Sequence, residues 1–367
     1  MKELRFALVG AGHRGRHMFG LGCKAGEGII PVAACDINPD LWYKSQRGQQ
    51  PMSEKFPDTR FYEDFYKMLE SETIDVLLVE TPAHFHVKFC AEALARNINV
   101  MSDIPLVASY EEAVMIWEAG RKSSAQLMTG ATTNAWGFIE ALYDLHKQRM
   151  LGDPIYMEAE YIHDTRYLWK ETPWRRTALP IKYCTHSLGP LLRLLPEDEL
   201  RRVSSVTTGA RIVGGEGEHD LMTAHFISSN NVIVHFTASF INEAECGHHS
   251  YRVFGTEGYF EHMSARGKYP ARSMFNSKKL YATKGLVEME VGMARPEYAD
   301  IGRDSSSHGG ADFVLFYDFF QALRSGDHGK IITVRDGIKM SLPGVFAAES
   351  AAKGGEMLEI RYPWDNE

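Results

Sequence analysis

Residues 4–15 read LRFALVGAGHRG, and this stretch decides the fold of the first third. Leu4–Val9 carries no charge after Arg5, as expected of a strand buried on both faces. Gly10, Gly12 and Gly15 follow with the spacing G-x-G-x-x-G. The first glycine permits a tight turn and the second lets a diphosphate approach the backbone. The third lets the next helix pack close to the strand, with its N-terminal N–H groups toward the phosphates. A second apolar strand, Ile29–Cys35, ends in Asp36. An acid there accepts hydrogen bonds from an adenosine ribose and repels a 2'-phosphate, which favours NAD over NADP.

Outward from this turn, strand and helix alternate. Residues 61–69 read as helix and 75–80 (DVLLVE) as a third strand, closed by Thr81-Pro82. A helix starts near 83–85, with Val87, Cys90, Ala91, Leu94 and Ala95 on one stripe. His86 lies in its first turn, either as a partly exposed helix residue or lining a cofactor cleft at the strand ends. A short strand at 99–101 precedes Asp103-Ile104-Pro105, and a helix marked by Val114, Trp117 and Arg121 leads to a fifth strand at 126–129. The pattern predicts an α/β Rossmann domain with a parallel, doubly wound sheet over residues 1–130.

The rhythm then changes. Ile155, Met157, Ala159, Tyr161 and His163 alternate along one strand face, as do Val232, Val234, Phe236, Ala238 and Phe240. Gly255 and Gly258 flank a turn between strands. Residues 131–335 are expected to form an α+β domain with a large, mainly antiparallel open sheet, for substrate and assembly. Residues 336–367 are expected to be a C-terminal helix and tail packing back on the body. Helices are expected at 312–324 and 334–352, the latter interrupted at Pro343-Gly344. Residues 267–307 read as a loop or an assembly arm.

Composition bounds the function. The chain has 367 residues and a formal net charge of -8, which argues against a nucleic-acid or anionic-membrane partner. No apolar run approaches the roughly 20 residues of a membrane span. Five cysteines, an odd number with no C-x-x-C pair, suit a reducing compartment and a cytoplasmic enzyme.

Tyr161 and His163 are i, i+2 on one strand face, so both can point at one ligand. The competing reading is a sheet edge packed in a dimer interface. Tyr183 and His186 stand three apart at the start of an apolar helix and share a face. A tyrosine beside a histidine can move a proton. Arg175 and Arg176 are either a substrate clamp or solvated. His248-His249 points only weakly to a metal, with no carboxylate or cysteine at ligand spacing, and no metal site is expected.

The opening GAGHRG, the segment TPAHFH, and VMSDIP are arranged as in the Gfo/Idh/MocA oxidoreductases, which the chain resembles over nearly its whole length. That resemblance implies NAD held by Gly10, Gly12, His13, Arg14, Gly15, Asp36, Thr81, Pro82, His86, Asp103 and Pro105. It also implies a homodimer or homotetramer built on the flat face of the second sheet. AEYIHD (159–164), Trp174-Arg175, YCTHSLGPL (183–191) and HGGADF (308–313) resemble the NAD-dependent glycosidases of glycoside hydrolase family 109. By that likeness Tyr183, His186, Tyr161 and His163 are catalytic, and Arg175, Trp174 and His308 bind substrate.

The implied reaction is redox-neutral glycoside cleavage: oxidation at C3, elimination, hydration and re-reduction, with NAD tightly bound and not released each turnover. The alternatives are a net sugar dehydrogenase or keto-sugar reductase, and a non-catalytic NAD-binding sensor. Two departures stand out. Ile104 replaces the lysine of the wider family's E-K-P motif, and the segment MTGATTN (128–134) lacks the glycosidases' carboxylate.

Overall fold

The computed structural model describes residues 3–366 apart from 213, 216–218, 242–247, 266–268, 282–283 and 299–307. The N-terminal elements are β1 (Leu4–Val9), α1 (His13–Gly22), β2 (Ile29–Cys35), the short helices α2 (Asp40–Tyr43) and α3 (Met52–Lys55), β3 (Arg60–Tyr62) and α4 (Phe65–Ser71). They continue as β4 (Val76–Val79), α5 (His86–Ala95), β5 (Asn99–Ser102), α6 (Tyr110–Lys122) and β6 (Leu127–Thr129). The six strands form a sheet in the order β3-β2-β1-β4-β5-β6, and every pairing is parallel. All four residues of β4 are fully buried, which is why that segment is uninterruptedly apolar.

Then come α7 (Gly137–Lys147), β7 (Pro154–Ile162), α8 (Thr185–Leu192), β8 (Leu200–Thr207), β9 (Met222–Ser228), β10 (Ile233–Ser239), β11 (His248–Gly255) and β12 (Gly258–Met263). They are followed by β13 (Arg272–Ser277), β14 (Val287–Met289), α9 (Ala311–Ser325), α10 (Val334–Ala352) and β15 (Leu358–Glu359). Nine strands make the second sheet, ordered β14-β13-β12-β11-β7-β10-β9-β8-β15. Among the described residues only the β7–β10 pairing is parallel, so the sheet is mixed but mainly antiparallel. Alternation sorts its faces. Met157, Ala159, Phe226, Phe236, Val253 and Phe260 are buried on one face. On the other, half-buried Glu158 pairs with Arg252, and His225 stacks on His235.

The chain divides into two compact units, Met1–Thr132 with Glu297–Ile338, and Thr133–Pro296 with Lys339–Glu367. The described residues from Glu297 to 335, expected with the second domain, and those from 336 to Ile338, expected with the C-terminal piece, therefore group with the first unit. The reason is aromatic: Phe316 and Phe320 of α9 lie edge-on to Phe6 of β1, at 5.9 and 5.7 Å between ring centroids. Phe19 of α1 stacks on Phe6 at 5.1 Å.

Three other expectations give way. The predicted helix at 61–69 is a strand followed by a helix. Arg60–Tyr62 pairs with β2, and Asp64 caps α4 by accepting from the N–H groups of Tyr66 and Lys67. The predicted loop at 267–307 contributes β13 and β14 to the sheet edge, its remaining parts including stretches outside the described residues. Pro343-Gly344 does not interrupt α10. A Cβ on Gly344 would lie 2.7 Å from both Cys184 Sγ and the Ile181 carbonyl, so the pair serves close approach rather than a break.

Replacing Phe316 with alanine removes a buried ring that packs on both Phe6 and Phe320. We expect a loss of about 3–5 kcal/mol of unfolding free energy, measured by denaturant unfolding of the full chain.

Candidate functional site

In the first unit the glycine turn is sterically forced. Gly10 has φ of 95°, and a Cβ there would stand 2.5 Å from the Glu80 carbonyl. A Cβ on Gly15 would stand 1.8 Å from the Gly10 carbonyl. At Gly12, by contrast, a Cβ would meet nothing within 4 Å, and Gly12 caps α1 without any side-chain hydrogen bond. This is the open, donor-lined helix start that a diphosphate requires. Asp36, at the end of β2, accepts from Ala11 N at 2.8 Å and from Asn38 N at 2.9 Å. Its carboxylate is thus held beside the turn, as an adenosine ribose needs. The residues present fit a dinucleotide.

His86 is neither partly exposed nor presented to a ligand by its ring nitrogens. It is 1% exposed, with Nδ1 at 2.8 Å from the Pro105 carbonyl and Nε2 at 2.7 Å from the Thr81 carbonyl. It ties the loop after β4 to the loop after β5. Asp103 is fixed by its own N–H, which donates to the Val79 carbonyl. Ile104 is buried, so the position of the family's lysine has no access to a ligand. Thr81 Oγ1 is buried with no hydrogen-bond partner among the described residues.

His13 lies exposed at the start of α1, while Arg14 turns inward. The Arg14 guanidinium grips Asp312 of α9 with two hydrogen bonds, 3.0 and 2.8 Å, and His308 Nδ1 lies 2.9 Å from the same carboxylate. The Asp312 side chain is fully buried. Burial alone would push its acid up, but the hydrogen bonds from His308 and Arg14 outweigh that and hold it well below the usual carboxylate range. His308, read as a substrate residue, is therefore part of a His308–Asp312–Arg14 chain that ends at the glycine turn. No feature of local sequence signals that link.

In the second unit, β7 lies between β11 and β10, so Tyr161 is central and not on a sheet edge. Its ring is 5.4 Å from that of Tyr183, 5.7 Å from His186, 4.6 Å from His249 and 6.1 Å from His163. Tyr183 and His186 are edge to face at 5.3 Å. The Tyr251 hydroxyl donates to the His186 carbonyl at 2.7 Å and pins the first turn of α8. Asn134, in the segment that lacks the glycosidases' carboxylate, lies against Gly189 of the same helix.

His163 is at the rim, its Nδ1 3.1 Å from the Asp164 carbonyl. Arg175 packs on the Trp174 ring at 4.6 Å, and its Nε is buried without a partner among the described residues. Burial pushes the Tyr161 phenol well above its ordinary range, Tyr183 adds to this, and the Arg175 charge opposes it. Tyr161 therefore keeps its proton at neutral pH. His249, singled out in the sequence only through a possible metal pair, belongs to this ring cluster. Its signal was its parity on β11, where His249 stands opposite Tyr161. Among the described residues no three His, Cys, Asp or Glu side chains converge as metal ligands.

Comparison with known proteins bears on the fold and on the first unit. Residues 4–131 match the Gfo/Idh/MocA oxidoreductase family, described as an NAD-binding Rossmann fold. That segment is an NAD-binding fold of the oxidoreductase type. A glycosyl hydrolase family 109 protein of Solibacter usitatus is 22% identical over 96% of this chain and 86% of its own length. An alpha-N-acetylgalactosaminidase of Shewanella oneidensis is 21% identical over 95% of this chain and 83% of its own. Among solved structures, a levoglucosan dehydrogenase in complex with NADH and L-sorbose superposes with a TM-score of 0.79 at 18% identity. That likeness covers 99% of this chain and 100% of that one. The chain is an NAD-dependent enzyme of the oxidoreductase type, and the relatives it resembles along nearly its whole length are named as glycosidases.

Asp312→Asn removes one partner of a buried pair and should cost about 3–5 kcal/mol. The folded-state pKa of Asp312 lies below its unfolded value. Its contribution is therefore complete above about pH 4–5 and is lost as pH falls below that. Unfolding free energies measured from pH 6 to pH 3 should fall less steeply in the variant than in the wild type.

Proposed function

We propose that this protein cleaves a glycosidic bond by the redox-neutral route, using NAD held by the first unit. The observation that carries the reading is the cluster around Tyr161. Its proton-carrying groups are two phenols and up to three imidazoles, where a hydrolytic glycosidase presents two carboxyl groups. The glycine turn and Asp36 would hold the dinucleotide, with Thr81, Pro82, Asp103 and Pro105 shaping the loops beside it. When bound, NAD supplies reversible hydride acceptance at a sugar carbon.

The chain's own residues manage the protons. Tyr183 or His186 takes the hydroxyl proton at C3 as that carbon is oxidised to a ketone. The ketone acidifies the neighbouring C–H, and His186 or His163 removes the C2 proton. The bond from C1 to the leaving group then breaks, with its electron pair going to the leaving oxygen. Tyr161, kept protonated by burial, suits hydrogen-bond donation rather than the role of base. Water adds across the C1–C2 double bond, and the C3 hydroxyl would be restored by the reversible hydride chemistry that NAD supplies when bound. Arg175 and Trp174 present a charged and an apolar surface to the sugar.

Net sugar oxidation is the second reading, supported by the fold shared with levoglucosan dehydrogenase. Assembly into a homodimer or homotetramer through the exposed face of the second sheet belongs to the same proposal, and light scattering tests it.

Aryl glycosides, including N-acetylgalactosaminides, added to the purified chain should release aglycone without accumulation of NADH and with solvent deuterium at C2. Stoichiometric NADH from a free sugar would instead select the dehydrogenase. Tyr183→Phe and His186→Ala should each lower turnover by roughly 10²–10⁴-fold with NAD affinity unchanged. Near-normal rates in both would overturn the assignment.

A further inference from the structure

The end of β4 holds a carboxyl group that the reaction above leaves unused. Glu80 sits against the glycine turn at two points: its carbonyl blocks a Cβ at Gly10, and its own Cβ lies 3.1 Å from where a Cβ on Gly15 would be. Its Oε2 is buried and has no hydrogen-bond partner among the described residues. A buried acceptor without a donor in a native fold calls for a missing partner. Thr81 Oγ1, on the next residue, is in the same condition.

The charges acting on Glu80 come from three segments. Arg14 approaches from the glycine turn, Asp103 from the end of β5 and Asp312 from α9. His86 of α5 bonds the Thr81 and Pro105 carbonyls on the adjoining loops, and His308 reaches the same ground through Asp312. Arg14 is already committed to Asp312 by its two hydrogen bonds. Burial, then the negative field of Asp103, push the Glu80 acid well above the ordinary carboxylate range, against the pull of Arg14.

Asp36 at the end of β2 marks the adenosine side of the groove, and the strand order reverses between β1 and β4. A dinucleotide crossing at that reversal puts its nicotinamide half over the ends of β4 and β5.

We propose that Glu80 selects the redox state of the bound cofactor: its ionised form favours the oxidised dinucleotide over the reduced one, so binding of the oxidised form displaces a proton from this carboxyl to solvent. This rests on the NAD reading above. Oxidised and reduced forms differ by one positive charge on the nicotinamide ring, and repulsion from the diphosphate is common to both and cancels. By reciprocity, a carboxylate that prefers the cationic ring is itself ionised more readily when that ring is present. The consequence is an enzyme that rests loaded with the oxidised form, the state from which a redox-neutral cycle starts.

Calorimetric titration of the full chain with NAD+ and with NADH tests this, from pH 5.5 to 9 in paired buffers of different ionisation heat. We expect NAD+ to release more protons than NADH, and the ratio of NAD+ to NADH affinity to rise about tenfold or more across the range. Glu80→Gln should hold that ratio flat at the wild type's acid limit and abolish the extra proton release. His308→Gln should keep the linkage. Should Glu80→Gln fail to fold by circular dichroism, the wild-type proton counts decide alone. Equal proton release for the two dinucleotides overturns the proposal, as does linkage that survives in Glu80→Gln or disappears in His308→Gln. Failure to bind either dinucleotide overturns the NAD reading, and this proposal with it.

Discussion

A fully buried aspartate needs its charge answered, and the first unit is arranged around that need. Asp312 stands 298 residues from Arg14, yet the two meet through a bidentate hydrogen-bonded pair beneath the glycine turn, with His308 on the same carboxylate. Losing either partner would leave a charge in a low-dielectric setting. The pair therefore ties the turn that a dinucleotide needs to the helix that supplies two rings to the Phe6 cluster. It also commits two of the Arg14 guanidinium donors to a carboxylate rather than to a phosphate.

The second unit solves a different problem, that of keeping polar rings in the middle of a sheet. Tyr161 points from the central strand β7 into a group of aromatic and imidazole rings. Its neighbours include His249 of β11, His186 of α8 and Tyr183, two residues ahead of that helix. Aromatic side chains offer both apolar faces and polar tips, so they can be buried in numbers where carboxylates could not. The Tyr251 hydroxyl on the His186 carbonyl adds a fixed support under α8. Chemistry built from such groups moves protons without a pair of acids, which is why the cluster leads away from ordinary hydrolysis.

Legibility in the sequence followed the range of the interactions involved. The G-x-G-x-x-G turn, Asp36 and the uninterrupted run of β4 are local and were readable, because each is imposed by neighbouring backbone. Tyr161, Tyr183 and His186 were readable as pairs, since parity on a strand and three-residue spacing near a helix start act over a few residues. Their meeting was not readable. Asp312 looked like one acid at a helix start, His86 like a partly exposed helix residue, and Glu80 like the tail of an apolar strand. What sets each of them apart is a neighbour that is distant in sequence or belongs to another loop.

The same division holds for the architecture. Hydrophobic period and glycine placement determined a parallel sheet followed by a mainly antiparallel one, because side-chain parity and steric limits act within a few residues. Tertiary structure alone decided that α9 joins the first unit, that β13 and β14 extend the second sheet, and that Pro343 sits inside a continuous helix. In each case the deciding energy lies in burial or pairing between segments far apart in the chain: phenylalanines against Phe6, Arg272–Ser277 against β12, and Gly344 against Cys184. Such contacts exist only once the chain has folded.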